Sequence, residues 1–457
     1  MRSFKFVVLL LIALGVLVGC AAPTAAPTSA PPTKAPAPTT APVAQPTTAP
    51  AVKPTDAPKP AASTKITVWY PLPTTGPLQE AMNALVKKFN AAGKGVEVEM
   101  VLTGNYGDNF TKILAAATAN NLPDAAMVEL LQIPQLANSN QLLALDDLSK
   151  EADFNFSDLA PALLGNSYFN NKLYAIPWQR STTMMFYNRD MFKAAGLDPD
   201  KPPLTWDEAK AATQKLLAKD PNVVPMTGAI ASDWAFEAQL LSFNGALLAK
   251  DGKSATYNSP EGIAAVTVWR DMSKDKLLSI RGSGDFGAVV NDFIAGKNAM
   301  VMQSIFSRAT IEQQAKFDWD VAAVPGGSAG PVLNAGGGNF VIFGKTAPEK
   351  QKAAWTFMKW MTSPENTAEY SIKSGYLPVR TSALNAPAMV DYGKQSPKTV
   401  KAMNLALKYG KSRAVSSVFE KAINQFLNPA LQDILLGTAD PKTALDAAAK
   451  KSTDALQ

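Results

Sequence analysis

Apolar and polar residues alternate through Val96-Glu97-Val98-Glu99-Met100-Val101, which predicts a strand with one buried face. Ile66-Thr67-Val68-Trp69-Tyr70 reads as a strand as well. Between the two, Leu78, Met82, Leu85, Val86 and Phe89 recur at helical spacing, and Gly93 lies just past the last of them, where helices stop. A loop at Gly104-Asn105-Tyr106, a helix through Phe110, Ile113 and Leu114, and an apolar strand at Ala125–Glu129 follow. Further strands are predicted at Met184–Asn188, Ala299–Gln303, Val321–Val324 and Phe340–Phe343. Helix starts punctuate the rest. Thr205-Trp206-Asp207-Glu208 is a capping box. Ser259-Pro260, Ser363-Pro364 and Asp440-Pro441 each place a capping side chain before proline at the first helical position. Strands alternating with helices give an α/β fold built on βαβ units, without an internal repeat.

The first sixty or so residues break this pattern. Arg2 and Lys5 precede an apolar run, Phe6–Val18, that ends at Gly19-Cys20. A basic start, an apolar stretch and a small-residue cleavage site mark a secretory signal, and the run is too short to span a bilayer comfortably. The junction resembles a bacterial lipobox, which implies cleavage after residue 19 and lipidation of Cys20. From Ala21 to about Ser63 the chain is mainly Ala, Pro and Thr. That composition predicts a disordered, partly polyproline-II tether, with a reach on the order of 130 Å when fully extended.

Composition narrows the chemistry. The chain has 457 residues, 47% of them apolar, and carries a formal charge of +6. Loss of Arg2 and Lys5 with the leader leaves the mature chain nearer +4. Charges of both signs are interspersed, so no nucleic-acid footprint is expected. Histidine is absent and Cys20 is the sole cysteine. Ser-His-Asp triads, Cys-His dyads, intrachain disulfides and nearly all zinc sites are thereby excluded, and neither a metal nor a cofactor is expected. No Walker-type phosphate loop occurs.

The stretch Ala175-Ile-Pro-Trp-Gln-Arg-Ser-Thr-Thr-Met-Met-Phe-Tyr-Asn-Arg-Asp-Met-Phe192, continuing through Gly196-Leu197-Asp198-Pro199 to Thr205-Trp206, resembles extracellular solute-binding proteins of ABC importers, in the sugar-binding group. Gly104-Asn105-Tyr106, Ser181-Thr182, Gly336-Gly337 and Ser374-Gly375-Tyr376-Leu377-Pro378 are similar to motifs of its glycerol-3-phosphate-binding branch, in the same order. The resemblance covers roughly residues 64–450. It implies a two-lobed periplasmic-binding-protein fold with discontinuous lobes, a hinge and a ligand cleft. Lobe 1 is placed at 64–180 plus 338–390, and lobe 2 at 181–337 plus 391–457.

The same resemblance names the ligand contacts. They are Tyr106, Glu129, Arg180, Ser181, Thr182, Trp234, Ser304, Ser307, Gly336, Gly337 and Tyr376. The residue types suit sugars and polyols, because carboxylates and hydroxyls bond the ligand's hydroxyls while aromatic rings cover its C–H faces. Glycines let backbone amides approach closely. Arg180 has two readings, a grip on a phosphate or diol and a structural ion pair across the hinge. Trp206, in its capping box, reads as packing, and Trp355 and Trp360 on their helix read as core or surface rather than ligand contacts. The branch grips phosphate with a late arginine, and the matching position here is Asn424, with Arg413 eleven residues earlier. That departure favours a neutral sugar or polyol, with a glycerophosphodiester as the alternative should Arg180 or Arg413 reach the cleft.

The expected function is capture of a sugar, oligosaccharide or polyol(-phosphate) by lobe closure and delivery to ABC permease subunits. The protein is expected to be a monomer, lipid-anchored on the extracytoplasmic face of the membrane. It is not expected to be an enzyme. Two rivals are a two-carboxylate glycosidase, drawing on Asp108, Asp124, Glu129 or Asp233, and an adhesin- or sensor-type binding module.

Overall fold

A computed structural model describes residues 63–71, 76–282, 285–414, 416 and 418–457. The leader, Cys20 and the tether up to residue 62 lie outside the described residues. No helix among the described residues is long and apolar enough to cross a membrane.

The strands are β1 (Thr64–Tyr70), β2 (Val96–Leu102), β3 (Ala125–Glu129), β4 (Ile176–Asn188), β5 (Val224–Ala231), β6 (Ser279–Gly282), β7 (Asn298–Ser304), β8 (Trp319–Ala322) and β9 (Leu333–Ile342). Helices that matter for the site are α1 (Pro77–Ala91), α2 (Tyr106–Thr118), α3 (Trp206–Lys219), α4 (Asp233–Ser242), α5 (Pro364–Ser374) and α6 (Asn428–Leu435). The sheet runs β2-β1-β3-β9-β4-β7-β5-β6, with β8 also on β4. Its two ends are parallel, β2-β1-β3 and β7-β5-β6, as βαβ units require. The antiparallel pair β9-β4 joins them.

Period-2 geometry explains the first half. Ala125 and Met127 of β3 enter one core with Phe340 and Ile342 of β9. Ala126 and Val128 enter another on the opposite face, with Val341. Both faces are covered, so β3 reads as an unbroken apolar run. Helix α1 buries Leu78, Met82, Leu85 and Phe89 on the first of these faces, the stripe that the spacing predicts. The capping box at Thr205 forms, with its hydroxyl accepting from Glu208 N and the Glu208 carboxylate accepting from Thr205 N. Ser259, Ser363 and Asp440 cap their helices in the same manner.

Strands β4 and β9 both pass from one core to the other. Ile176–Thr182 pair with β9, whereas Thr183–Tyr187 pair with β7. Ile176 and Trp178 lie in the first core, and Met184–Tyr187 in the core of the other half. Leu333 at one end of β9 belongs to the second half, and Phe340 and Ile342 at its other end to the first.

Two strands are longer than their patterns predict. β4 starts at Ile176 rather than Met184, and every one of its residues is buried. β9 starts at Leu333, so Gly336–Gly338 lie inside a strand and not in a loop before it. Glycine masks the strand signal there, because the register slips between Gly337 and Asn339 and Gly337 takes φ +93°. Tyr106 likewise opens α2 rather than lying in a free loop, held by a capping box of Asn105 and Asp108.

Candidate functional site

A cavity of about 1170 Å³ opens where β3, β4, β7 and β9 end or cross. Strand ends are where open α/β sheets present ligands. Of the residues singled out by sequence, Tyr106, Glu129, Ser181, Trp234, Ser304, Gly336, Gly337 and Tyr376 line it. The structure does not bring Arg180, Thr182 or Ser307 to its wall. Strand alternation accounts for the first two. Ser181 faces the cavity, so its neighbours on β4 point the other way. Arg180 is 0% exposed, and its Nε donates to the carbonyl of Leu163 at 3.1 Å. That position serves neither a phosphate grip nor an ion pair. Ser307 opens a short helix, buried just beyond the cavity.

The aromatic wall is rigid. Tyr376 stacks on Phe306 with ring centroids 5.8 Å apart, and on Tyr370 at 6.2 Å. Tyr370 in turn stacks on Trp178 at 4.6 Å, and Trp178 on Phe340 at 5.5 Å. This column of rings runs from the first core to the cavity, and α5 supplies Tyr370. Trp178 is therefore core, Trp206 is buried as its pattern predicts, and Trp355 is buried too. Trp234, near the start of α4, lies against Gly336. A Cβ on that glycine would stand 2.9 Å from the indole Nε1 and 3.0 Å from Ser181 Oγ. Gly338 similarly leaves room for the Tyr106 hydroxyl, which donates to Gln179 Oε1 at 3.3 Å.

The electrostatic centre is Arg413. Its side chain is 4% exposed, and it bonds Glu237 through Nε at 2.6 Å and Asp233 through Nη2 at 2.5 Å. Nη1 stands 4.0 Å from Glu129 Oε1, across the cavity floor. Burial works against its charge, but Glu237, Asp233 and Glu129 more than offset this and raise its pKa. Glu129 caps the turn after β3, accepting from Leu131 N at 2.7 Å. Burial pushes its carboxyl up to about 8, against the pull of Arg413 and with help from Glu420 and Asp233. Glu129 is therefore protonated at neutral pH and offers both a donor and an acceptor.

That assignment has a measurable sign. A carboxyl at about 8 when folded and 4.5 in the open chain contributes stability that is complete below 4.5 and lost as pH rises through about 8. Glu129→Gln, a mimic of the protonated form, should melt close to wild type at pH 5 and roughly 6 °C above it at pH 9. Parallel melting curves across that range would refute the raised pKa.

Several polar atoms at and beneath the cavity have no hydrogen-bond partner among the described residues. They include Trp234 Nε1, Ser304 Oγ and Glu420 Oε2 on the wall, and Thr182 Oγ1, Ser307 Oγ and Arg180 Nη1 behind it. Buried polar groups are normally satisfied, so the three orphans on the wall are available to a ligand, whereas those behind it are not within its reach.

Sequence reasoning missed Phe306, Phe286 and, on the far wall, Glu420, Asn428 and Gln432, which line up with Asn424, the position singled out by its match to the late arginine. Their spacing of four puts polar residues on one helical face, a signal present in the sequence. A π-helical turn at Ile423–Leu427 interrupts the helix there, and such turns frequently mark functional sites. Among the glycosidase candidates, Asp108 is committed to the α2 cap and Asp124 to Thr67 N and Lys350.

Comparison with known proteins yields a consistent set. A family model for bacterial extracellular solute-binding proteins matches residues 84–400. The sn-glycerol-3-phosphate-binding periplasmic protein of Salmonella paratyphi A is 29% identical over 421 residues, 87% of this chain and 93% of that one. UgpB from Mycobacterium tuberculosis, solved with glycerophosphocholine, superposes with a TM-score of 0.76 at 27% identity, covering 86% of this chain and 98% of the other. The cyclic α-maltosyl-1,6-maltose-binding protein of Arthrobacter globiformis superposes with a TM-score of 0.72 at 26% identity, covering 86% and 99%.

Proposed function

Because the chain belongs to the bacterial extracellular solute-binding proteins, we propose that it captures a small hydroxyl-rich molecule in the cavity and delivers it unaltered to an ABC permease. The ligand class is a sugar, an oligosaccharide or a polyol, with or without phosphate. Relatives named for sn-glycerol 3-phosphate and for a cyclic maltosyl-maltose bracket that class. The observation that carries this reading is the combination of an aromatic wall with unpartnered polar atoms at Trp234, Ser304 and Glu420. Tyr106, Glu129, Ser181, Trp234, Ser304, Gly336, Gly337 and Tyr376 are the proposed contacts.

Capture works by closure of two lobes, 64–180 plus 338–390 and 181–337 plus 391–457, about the crossing strands. Closure excludes water and strengthens each hydrogen bond in the cleft. The protein acts as a monomer held on the extracytoplasmic face by a lipid on Cys20. Cys20→Ser should release it from the membrane fraction, and retention would refute the anchor.

A thermal-shift screen against sugars, polyols and glycerol phosphates tests the core of the proposal. A ligand at a hundred times its Kd stabilises the folded chain by about 2.7 kcal/mol. Trp234→Ala should weaken the best compound about 30-fold, as for a buried aromatic anchor. A screen in which no compound raises the melting temperature would sink the proposal.

A further inference from the structure

We propose that the cleft selects an uncharged, hydroxyl-rich ligand over phosphate esters, because the one deeply buried arginine among the described residues on its wall is already shared between two carboxylates. The inference rests on the solute-binding reading above and narrows its ligand class.

The positive groups can be followed one at a time. Arg413 is the sole deeply buried cation among the described residues lining the cavity. Its Nε and Nη2 are bonded to Glu237 and Asp233, and Nη1 faces Glu129. Nη1 makes no hydrogen bond among the described residues, but the charge of the guanidinium is already balanced by the two carboxylates it bonds. Arg281, the other lining arginine, has a side chain 46% exposed and stands 3.9 Å from Asp292. At the rim it is a screened point charge. Arg180 is not on the cavity wall; two of its nitrogens bond the Leu163 carbonyl, and its unpartnered Nη1 lies behind the wall. No lysine is among the described lining residues.

Backbone anion sites are filled as well. Gly336 and Gly337 resemble a phosphate-binding turn in sequence, yet both sit in the β9–β4 ladder opposite Ser181 and Arg180. The start of α4 favours a negative charge, and Asp233 already stands there, its own N–H donating to Asn428 Oδ1 at 2.7 Å.

The wall meanwhile carries the opposite sign. Asp233 and Glu420 line it, with Glu237 just behind Arg413, while the protonated Glu129 adds no charge. A phosphate dianion entering this cavity meets Glu420 and Asp233, and the guanidinium nearest to it is already shared by two carboxylates. A neutral hydroxyl fits both halves of the site. It donates to Glu420 or Asp233 and accepts from Trp234 Nε1 or Ser304 Oγ, and Ser304 is only 3% exposed. Phosphate is thus disfavoured by a shared guanidinium and surplus carboxylates rather than by lack of room.

Calorimetric titration of the mature chain decides the matter. The probes are neutral mono-, di- and trisaccharides and polyols in one arm, with sn-glycerol 3-phosphate and glycerophosphocholine in the other. We expect the best neutral probe to bind at least about tenfold more tightly than either ester. An ester that binds as tightly as the best neutral probe overturns this inference and leaves the solute-binding reading standing. Failure of every probe in both arms overturns that reading too. Glu420→Gln, and the double variant Asp233→Asn/Glu420→Gln, should each improve binding of sn-glycerol 3-phosphate, the double variant by about tenfold. A folded single or double variant with no such gain refutes the electrostatic cause.

Discussion

Replacement of Gly337 by alanine should cost about 3–5 kcal/mol and leave little folded protein at 37 °C. The residue takes φ +93°, a conformation that side chains rarely adopt, and a Cβ there would lie 1.7 Å from the Gln179 carbonyl oxygen. That oxygen belongs to the neighbouring strand of a fully buried ladder, so relief means displacing β4 itself. Gly252→Ala is the matched control. Its φ is +69°, but nothing lies within 4 Å of its Cβ position, and backbone strain alone should cost about 1 kcal/mol. Denaturant titration of the two variants separates the terms. Equal losses would show that the contact with β4 is not close in solution.

Arg413→Met should be nearly as damaging, at about 3–5 kcal/mol, and should abolish ligand binding at the same time. The loss comes less from the missing hydrogen bonds than from what remains. Asp233 and Glu237 would face each other under the cavity with no compensating charge. Two further measurements identify that cause. Stability of the variant should recover as pH falls and the freed carboxylates protonate. Adding Asp233→Asn and Glu237→Gln to Arg413→Met should restore much of the loss, since replacing a whole buried ion cluster is often close to neutral. If the triple variant is as unstable as the single one, Arg413 acts through packing rather than charge.

Periodicity and capping chemistry made most of the architecture legible. Alternation located β1 and β2, helical spacing located α1, and the Ser-Pro and Asp-Pro pairs located helix starts. The crossing strands were read short because Pro177 and Gly336–Gly338 look like breakers, while their pairing is enforced by tertiary contacts that no local pattern carries. The site was legible where one residue suffices, as at Trp234 or Tyr376. It was illegible where function depends on which way a strand residue points, as for Thr182 beside Ser181, or on charges from distant segments, as at Arg413. Glu420 and its amide neighbours did signal themselves by spacing, within a stretch that otherwise reads as an amphipathic helix.

The placement of β9 constrains how the polypeptide can mature. This strand separates β3 from β4, although more than 140 residues of chain lie between the end of β4 and the end of β9. Until residue 342 has emerged, β3 presents an unsatisfied edge and the first sheet cannot close, whatever has been synthesised before it. High contact order of this kind slows folding and keeps early intermediates open. For a member of an extracellular protein family that delay is useful, because premature collapse of the amino-terminal portion would hinder export.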